Sequence, residues 1–485
     1  MFTKKRNIFT KILIWRYKYI SERQFILVLS ILVGFLAGLG TVLLKYLTLF
    51  IQSVLEGGFI KNYYYSLYFI FPIIGVWLVY LIKKNFIKKE IGHGISTTLY
   101  SISKRSGIIE RYKMFASLIV APITVGFGGS VGLQGPAVST GAALGSNVAS
   151  MFHMNAKTRM LLIGCATAGA MSSMFKAPVA AIVFAVEIFS LDLVFASLVP
   201  LLLASIAAVI TSYFFRGTDV LFSFELLDAW RVKDIVFYVL LGLATGIASV
   251  YFSKMYFLIT RFFSRFSNAY IKIGIAAIAI GFMLYLFPPL YGEGYGLINN
   301  LLNGNTEVAL SGIQYQIDFN NIWMVIVILL IIAVFKAIAM TTTFAAGGVG
   351  GIFIPTLFMG SALGNAVAKA INQFGFEVSE ANFTLIGMTG LMAGVLHAPL
   401  TAIFLIAEIT GGYDLFVPLM LVATISFGFT KYFVPNSIYT AELAKRGELI
   451  TNDKDKNALM MLNIDRVIET NFIKISTEMT LGEML

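Results

Sequence analysis

The 485-residue chain is short of charge, of histidine and of cysteine, and each shortage closes off a class of function. Only 13% of its residues are Asp, Glu, Lys or Arg, where an ordinary soluble domain carries about 25%. With 58% hydrophobic residues and a mean hydropathy of +0.83, it lies outside the soluble globular class. One cysteine, Cys165, excludes an internal disulfide framework; set in an apolar stretch, it reads as a packed small residue. Three histidines far apart (His93, His153 and His397) and that one cysteine leave no metal-ligand spacing. Ser-His-Asp arrangements and Walker phosphate loops are absent too, so the chain reads as no enzyme and implies no cofactor or metal.

The charge that is present falls outside the apolar runs. Lys and Arg outnumber Asp and Glu by 36 to 25, but they sit in short clusters such as Lys4-Lys5-Arg6, Lys83-Lys84, Lys88-Lys89 and Lys445-Arg446. That is the loop bias of a membrane protein with its basic flanks inside, not a nucleic-acid-binding patch. Residues 1–24 are basic and aromatic without a small-residue cleavage site, so they read as a cytoplasmic segment and not a signal peptide. Both termini are expected in the cytoplasm of a bacterial-type cell.

A bilayer core of about 30 Å asks for about 20 apolar residues in a helix. Phe25–Leu44, Tyr63–Ile82 and Leu193–Phe215 meet this, and Ile235–Ser253, Ile273–Phe287, Ile322–Phe335, Phe383–Ala407 and Leu415–Thr430 are further candidate spans. Lipid offers no partner to backbone N–H and C=O groups, so the fold class expected is all-α and polytopic. Phe115–Ser150, Gly164–Glu187 and Thr341–Ala368 are apolar but interrupted by Gly, Ser and Pro. Broken helices of this kind are tolerated only inside protein or along a cavity, and they point to a transport site.

The chain also repeats itself. Lys-Ala-Pro-Val-Ala-Ala-Ile at 176–182 is echoed by His-Ala-Pro-Leu-Thr-Ala-Ile at 397–403, and Glu187 by Glu408 at the same separation. Gly129, Gly132, Pro136 and Gly145 recur as Gly348, Gly351, Pro355 and Gly364 in nearly that register. Repeats over about 90–215 and 320–435 inside a membrane domain at 25–440 imply a site between duplicated halves.

Four motifs stand out: Gly92-His93-Gly94-Ile95-Ser96, Gly132-Leu133-Gln134-Gly135-Pro136, Gly351-Ile352-Phe353-Ile354-Pro355 and the late Ser437-Ile438-Tyr439. A glycine turn before a helix presents unpaired N–H groups where the dipole adds roughly half a positive charge. Such an end holds an anion without a buried cation, with the modest affinity that conduction needs. The plainer reading is that the glycines only let helices pack closely.

In these motifs the chain resembles the CLC chloride channels and proton-coupled anion transporters, whose pattern runs G-S-G-I-P, G-[KR]-E-G-P, G-x-F-x-P and a late tyrosine. The resemblance covers about residues 25–445. It implies two inverted-topology repeats with broken helices around a midplane anion site, in a homodimer with one pore per subunit. It also implies chloride or a similar small anion as the substrate. On that resemblance His93, the Ile352 and Phe353 amides and the Tyr439 hydroxyl would bind the anion. Gln134 would stand at the gate, and Gly92, Gly94, Gly132, Gly135 and Gly351 would form the pore loops. Residues 441–485 form a charged cytoplasmic tail that looks like the start of an incomplete CBS-like module.

Three positions depart from the family pattern. The gate carboxylate is an amide, Gln134, which takes up no proton near neutral pH. Leu133 replaces a basic residue, and the internal proton-relaying glutamate falls on Ile188. The expectation is passive conduction of chloride without proton coupling. The alternatives are a proton-coupled antiporter using Glu187 or His93, or a membrane sensor or scaffold that has lost transport. Glu187, having a repeat mate, reads first as a structural carboxylate, although an intramembrane carboxylate is a functional suspect by default.

Overall fold

The computed structural model describes residues 16, 18–56, 67–89, 91–92, 94–189, 195–218, 222, 229–448, 479–480 and 482. His93, the first 15 residues and nearly all of the tail beyond 448 lie outside the described residues. Most of the tail segment that resembles a CBS-like module is among those outside.

The described chain is helical. In order come α1 (Glu22–Glu56), α2 (Phe71–Ile82, running into a π-turn at Lys83–Ile87), α3 (Ile95–Lys104), α4 (Lys113–Gly126), α5 (Gln134–Met151), α6 (Ala156–Phe175), α7 (Pro178–Phe189) and α8 (Phe195–Arg216). Then come α9 (Ile235–Ser264), α10 (Ala269–Leu286), α11 (Tyr295–Leu302), α12 (Ile322–Ala345), α13 (Phe353–Gln373), α14 (Glu380–Leu396), α15 (Pro399–Ile409), α16 (Phe416–Phe433) and α17 (Ala441–Lys445). Six helices among the described residues are long and apolar enough to cross a membrane. At 35 residues, α1 extends about 52 Å, so it must tilt or protrude from the apolar layer. Its outward residues Phe35, Leu43 and Phe50 are apolar and exposed, as a helix facing lipid requires.

The expected interruptions fall at the glycine-rich loops. Residues 127–133 separate α4 from α5, and residues 346–352 separate α12 from α13. Two expected spans are corrected: Tyr63–Ile82 is interrupted by a turn at residues 68–70, so that α2 begins only at Phe71, and Phe383–Ala407 is two helices, not one. His397 turns into the left-handed region (φ 55°) at the end of α14, and Pro399 opens α15 after it. Lys176 (φ 57°) and Pro178 make the same break between α6 and α7. Proline lacks the N–H that a first-turn residue would leave unpaired, so it starts a helix at no cost after such a break.

The halves are built alike and extend further than the sequence repeat. The pairs α1–α8, α5–α6 and α6–α8 of the first half are matched by α9–α16, α13–α14 and α14–α16 of the second. Small residues set the closeness of the equivalent pairs. A Cβ added to Gly145 would lie 2.4 Å from the Leu162 carbonyl oxygen, and one added to Gly364 would lie 2.1 Å from that of Phe383. With lipid tails as apolar as leucine, association rests on such backbone proximity and on van der Waals packing.

The halves meet symmetrically. The Glu187 carboxylate on α7 accepts from the Leu400 and Thr401 N–H groups (3.1 and 2.8 Å) and from the Thr401 hydroxyl (2.6 Å) at the start of α15. Glu408 on α15 accepts from the Val179 and Ala180 N–H groups (2.9 and 2.7 Å) at the start of α7. Each carboxylate caps the positive end of the other's helix, and that supports the structural reading of Glu187.

Candidate functional site

The two glycine loops are tied together by a reciprocal antiparallel bridge. The Gly132 N–H donates to the Gly351 carbonyl at 3.0 Å, and the Gly351 N–H donates to the Gly132 carbonyl at 2.7 Å. These two amides are therefore spent on joining the halves and are not offered to an anion. The equivalent segments run in opposite directions through the join, as an inverted repeat demands. Backbones come this close because neither residue has a side chain: a Cβ on Gly351 would lie 2.6 Å from the Gly135 nitrogen.

Beside the join is a small cavity of about 10 Å³, lined by Gly94-Ile95-Ser96, Gly135, Gly350-Gly351-Ile352, Tyr256, Phe344 and Ile438-Tyr439. That is room for about one water-sized sphere. The Tyr439 hydroxyl is buried there and has no hydrogen-bond partner among the described residues. Buried polar groups are nearly always paired, so this orphan wants a ligand. Ile352 caps α13 and Phe353 opens it, positions whose N–H groups have no intrahelical acceptor. Neither N–H donates to another backbone group among the described loop residues. The Phe353 ring packs on Phe175 and Phe184. Of the positions expected at the site, Gly94, Gly135, Gly351, Ile352 and Tyr439 come together here; Gly92 lines the neighbouring hollow, and Phe353, Gly132 and Gln134 do not line this cavity.

Gln134, the first residue of α5, points elsewhere. It is fully buried; its Nε2 donates to the Tyr295 hydroxyl at 3.1 Å, and its Oε1 is unpartnered. Behind it, Glu293 Oε1 accepts from the Leu133 N–H at 3.1 Å and Glu293 Oε2 from Lys45 Nζ at 2.7 Å. Nearby, the buried Lys336 Nζ donates to the Gly292 carbonyl at 3.0 Å and sits 4.6 Å from the Phe358 ring centroid.

Sequence reasoning misses these charges because the expected spans stop just before them, at Leu44 and Phe335. A lone lysine continuing an apolar run is the available signal. Tyr256 and Phe344 carry no signal, since aromatics fill the whole chain.

A second, wider hollow of about 670 Å³ is lined by residues that include Gly92, Lys83, Lys84, Lys88, Lys89 and Lys272; Phe344 borders both spaces. Lys84 donates to the Tyr270 hydroxyl at 3.1 Å, and Lys89 pairs with Glu110 at 2.7 Å on the surface. That ammonium holds the Glu110 carboxyl below its ordinary range.

Two inverted helical halves, joined at broken helices beside a buried unpaired hydroxyl, define a membrane transport protein. Residues 71–431 match the family model described as "Voltage gated chloride channel", and the chain belongs to that family. It is 26% identical over 365 residues to a ClcB-like chloride channel protein of Ralstonia nicotianae, so named provisionally, with 73% of this chain and 80% of that one covered. It is likewise 26% identical over 444 residues to the H(+)/Cl(-) exchange transporter ClcA of Salmonella paratyphi B, covering 87% and 88%. Among solved structures, a slow cyanobacterial Cl-/H+ antiporter superposes with a TM-score of 0.73 at 20% identity, covering 88% of this chain and 98% of that one. At that identity the last likeness speaks for the fold alone.

Proposed function

We propose that the chain conducts chloride and similar small anions passively through the Tyr439 cavity, without proton coupling. The single observation that carries this reading is the buried, partnerless Tyr439 hydroxyl in a cavity edged by the start of α13. The five-lysine hollow supports it as the collecting mouth, on the cytoplasmic side by the positive-inside rule. Absence of coupling is supported by the amide at Gln134, by Ile188, and by the engagement of both Glu187 oxygens in capping α15. The assembly we infer is a homodimer in a bacterial-type cell membrane, with both termini cytoplasmic. His93 keeps its proposed place as an anion contact from its motif position alone.

A second reading, chloride–proton exchange, is favoured by the exchange activity in the Salmonella relative's name. On the present geometry its proton carrier would be His93 or Glu293, the buried carboxylate behind Gln134, since both Glu187 oxygens are engaged.

Replacing Tyr439 by Phe removes one hydroxyl donor. A hydrogen bond to a charged group contributes about 1.5–3 kcal/mol, so halide affinity should weaken about tenfold or more. Titration of the detergent-solubilised protein with bromide checks this, and unchanged affinity would remove Tyr439 from the site.

A further inference from the structure

Glu293 and Lys45 are each 6% exposed, deep among apolar helices. Burying an ion pair costs more desolvation than the pair returns unless further hydrogen bonds use its remaining capacity. Here that capacity goes to a pore loop. Glu293 Oε2 is held by Lys45, while Oε1 accepts from the Leu133 N–H at 3.1 Å and the Tyr295 hydroxyl at 3.4 Å. Leu133 is the N-cap of α5, at the positive end of that helix. The carboxylate thus occupies the place that a free anion would take on this helix end.

Gln134, next in the chain, is drawn aside to the same tyrosine. Its Oε1 lies where a Cβ on Gly132 would be only 2.3 Å away, and it finds no partner. Lys45 Nζ also sits 4.5 Å from the Tyr295 ring centroid, so α1 fixes the tyrosine as well as the carboxylate. Two residues on from Leu133, Gly135 already lines the Tyr439 cavity.

We propose that Glu293, held by Lys45, is a tethered anion at the α5 end of the pathway: it fills an anion position on the Leu133 amide and competes for it with the permeating ion. The proposal rests on the reading of the Tyr439 cavity as the anion site. It assigns the gating charge to the turn before α11 and not to the helix that carries Gln134.

The test is bromide anomalous diffraction from the full chain and from Glu293→Ala. The truncation leaves the Leu133 N–H, the Tyr295 hydroxyl and the Lys45 ammonium converging on vacated space. The unmodified protein should show one bromide, at Tyr439. The variant should show a second, within hydrogen-bonding distance of the Leu133 nitrogen. Should the truncation not fold, Glu293→Asp keeps the charge beside Lys45 but withdraws it by one methylene, and chloride efflux from liposomes should rise about tenfold or more, as the loss of one hydrogen bond to a charged group implies. Folded Glu293→Ala with bromide at Tyr439 alone, or Glu293→Asp with unchanged efflux, overturns the proposal. Absence of bromide from Tyr439 in both proteins would instead remove the site reading beneath it.

Discussion

Replacing Gln134 by Glu should slow chloride efflux from liposomes about tenfold at about pH 7.5, with recovery as the medium is acidified towards about pH 5. The amide now donates to the Tyr295 hydroxyl at 3.1 Å, and that hydroxyl faces Glu293 at 3.4 Å. A carboxylate in its place would face Glu293 across one shared hydroxyl, and two like charges this close do not both ionise comfortably. The introduced group has two ways out: to hold a proton, or to swing towards the α13 end and compete with chloride there. At neutral pH the second blocks the pathway. In acid, protonation removes the competing charge. A fall to about one tenth corresponds to roughly 1.4 kcal/mol of competition, close to the lower end of the range for one charge-assisted hydrogen bond. Efflux that is neither slowed nor made sensitive to pH would mean that position 134 does not face the anion's route.

The second large effect concerns stability. Glu187→Ala should lower the unfolding free energy by about 3 kcal/mol, read as a marked fall in thermal unfolding temperature in detergent. The carboxylate accepts three hydrogen bonds at 2.6–3.1 Å, two of them from first-turn amides of α15. An N-cap substitution costs about 0.5–2 kcal/mol, and bonds to a charged acceptor about 1.5–3 each before relaxation. Glu187→Gln, which keeps one acceptor oxygen, should fall between the two. Glu408→Ala should match Glu187→Ala in direction, because it uncaps α7 in the same way. A proton-relay role for Glu187 predicts a different pattern: near-normal stability with altered coupling.

The backbone chemistry of the site is readable from the chain, because a glycine turn before a helix is a local signal. Gly94, Gly135, Gly351 and Ile352 do gather with Tyr439 around one cavity. What those loops do to each other is not readable. The reciprocal bonds that consume the Gly132 and Gly351 amides join residues far apart in sequence, and only the packed halves bring them together.

The break at His397 is hidden for another reason. A histidine in the left-handed conformation has no signature inside an apolar run, and the one clue is the match of Pro399 to Pro178. The repeat pairs Glu187 with Glu408 but cannot tell that each caps the other's helix. Lys45 and Lys336 look like the ends of spans, although each is buried beyond the point where the apolar run stops. Glu293 is harder still to see, since its meaning depends on Lys45 and on the Leu133 amide.

The central claim is that chloride moves here without driving protons. Its direct test is proton uptake by the unmodified protein, purified and placed in lightly buffered liposomes under an outward chloride gradient. Passive chloride efflux is expected once potassium and valinomycin relieve the membrane potential, with no uphill movement of protons. Sustained proton uptake in fixed ratio to chloride, abolished by an uncoupler, would contradict the claim and turn Glu293 from a tethered anion into the carrier of the proton.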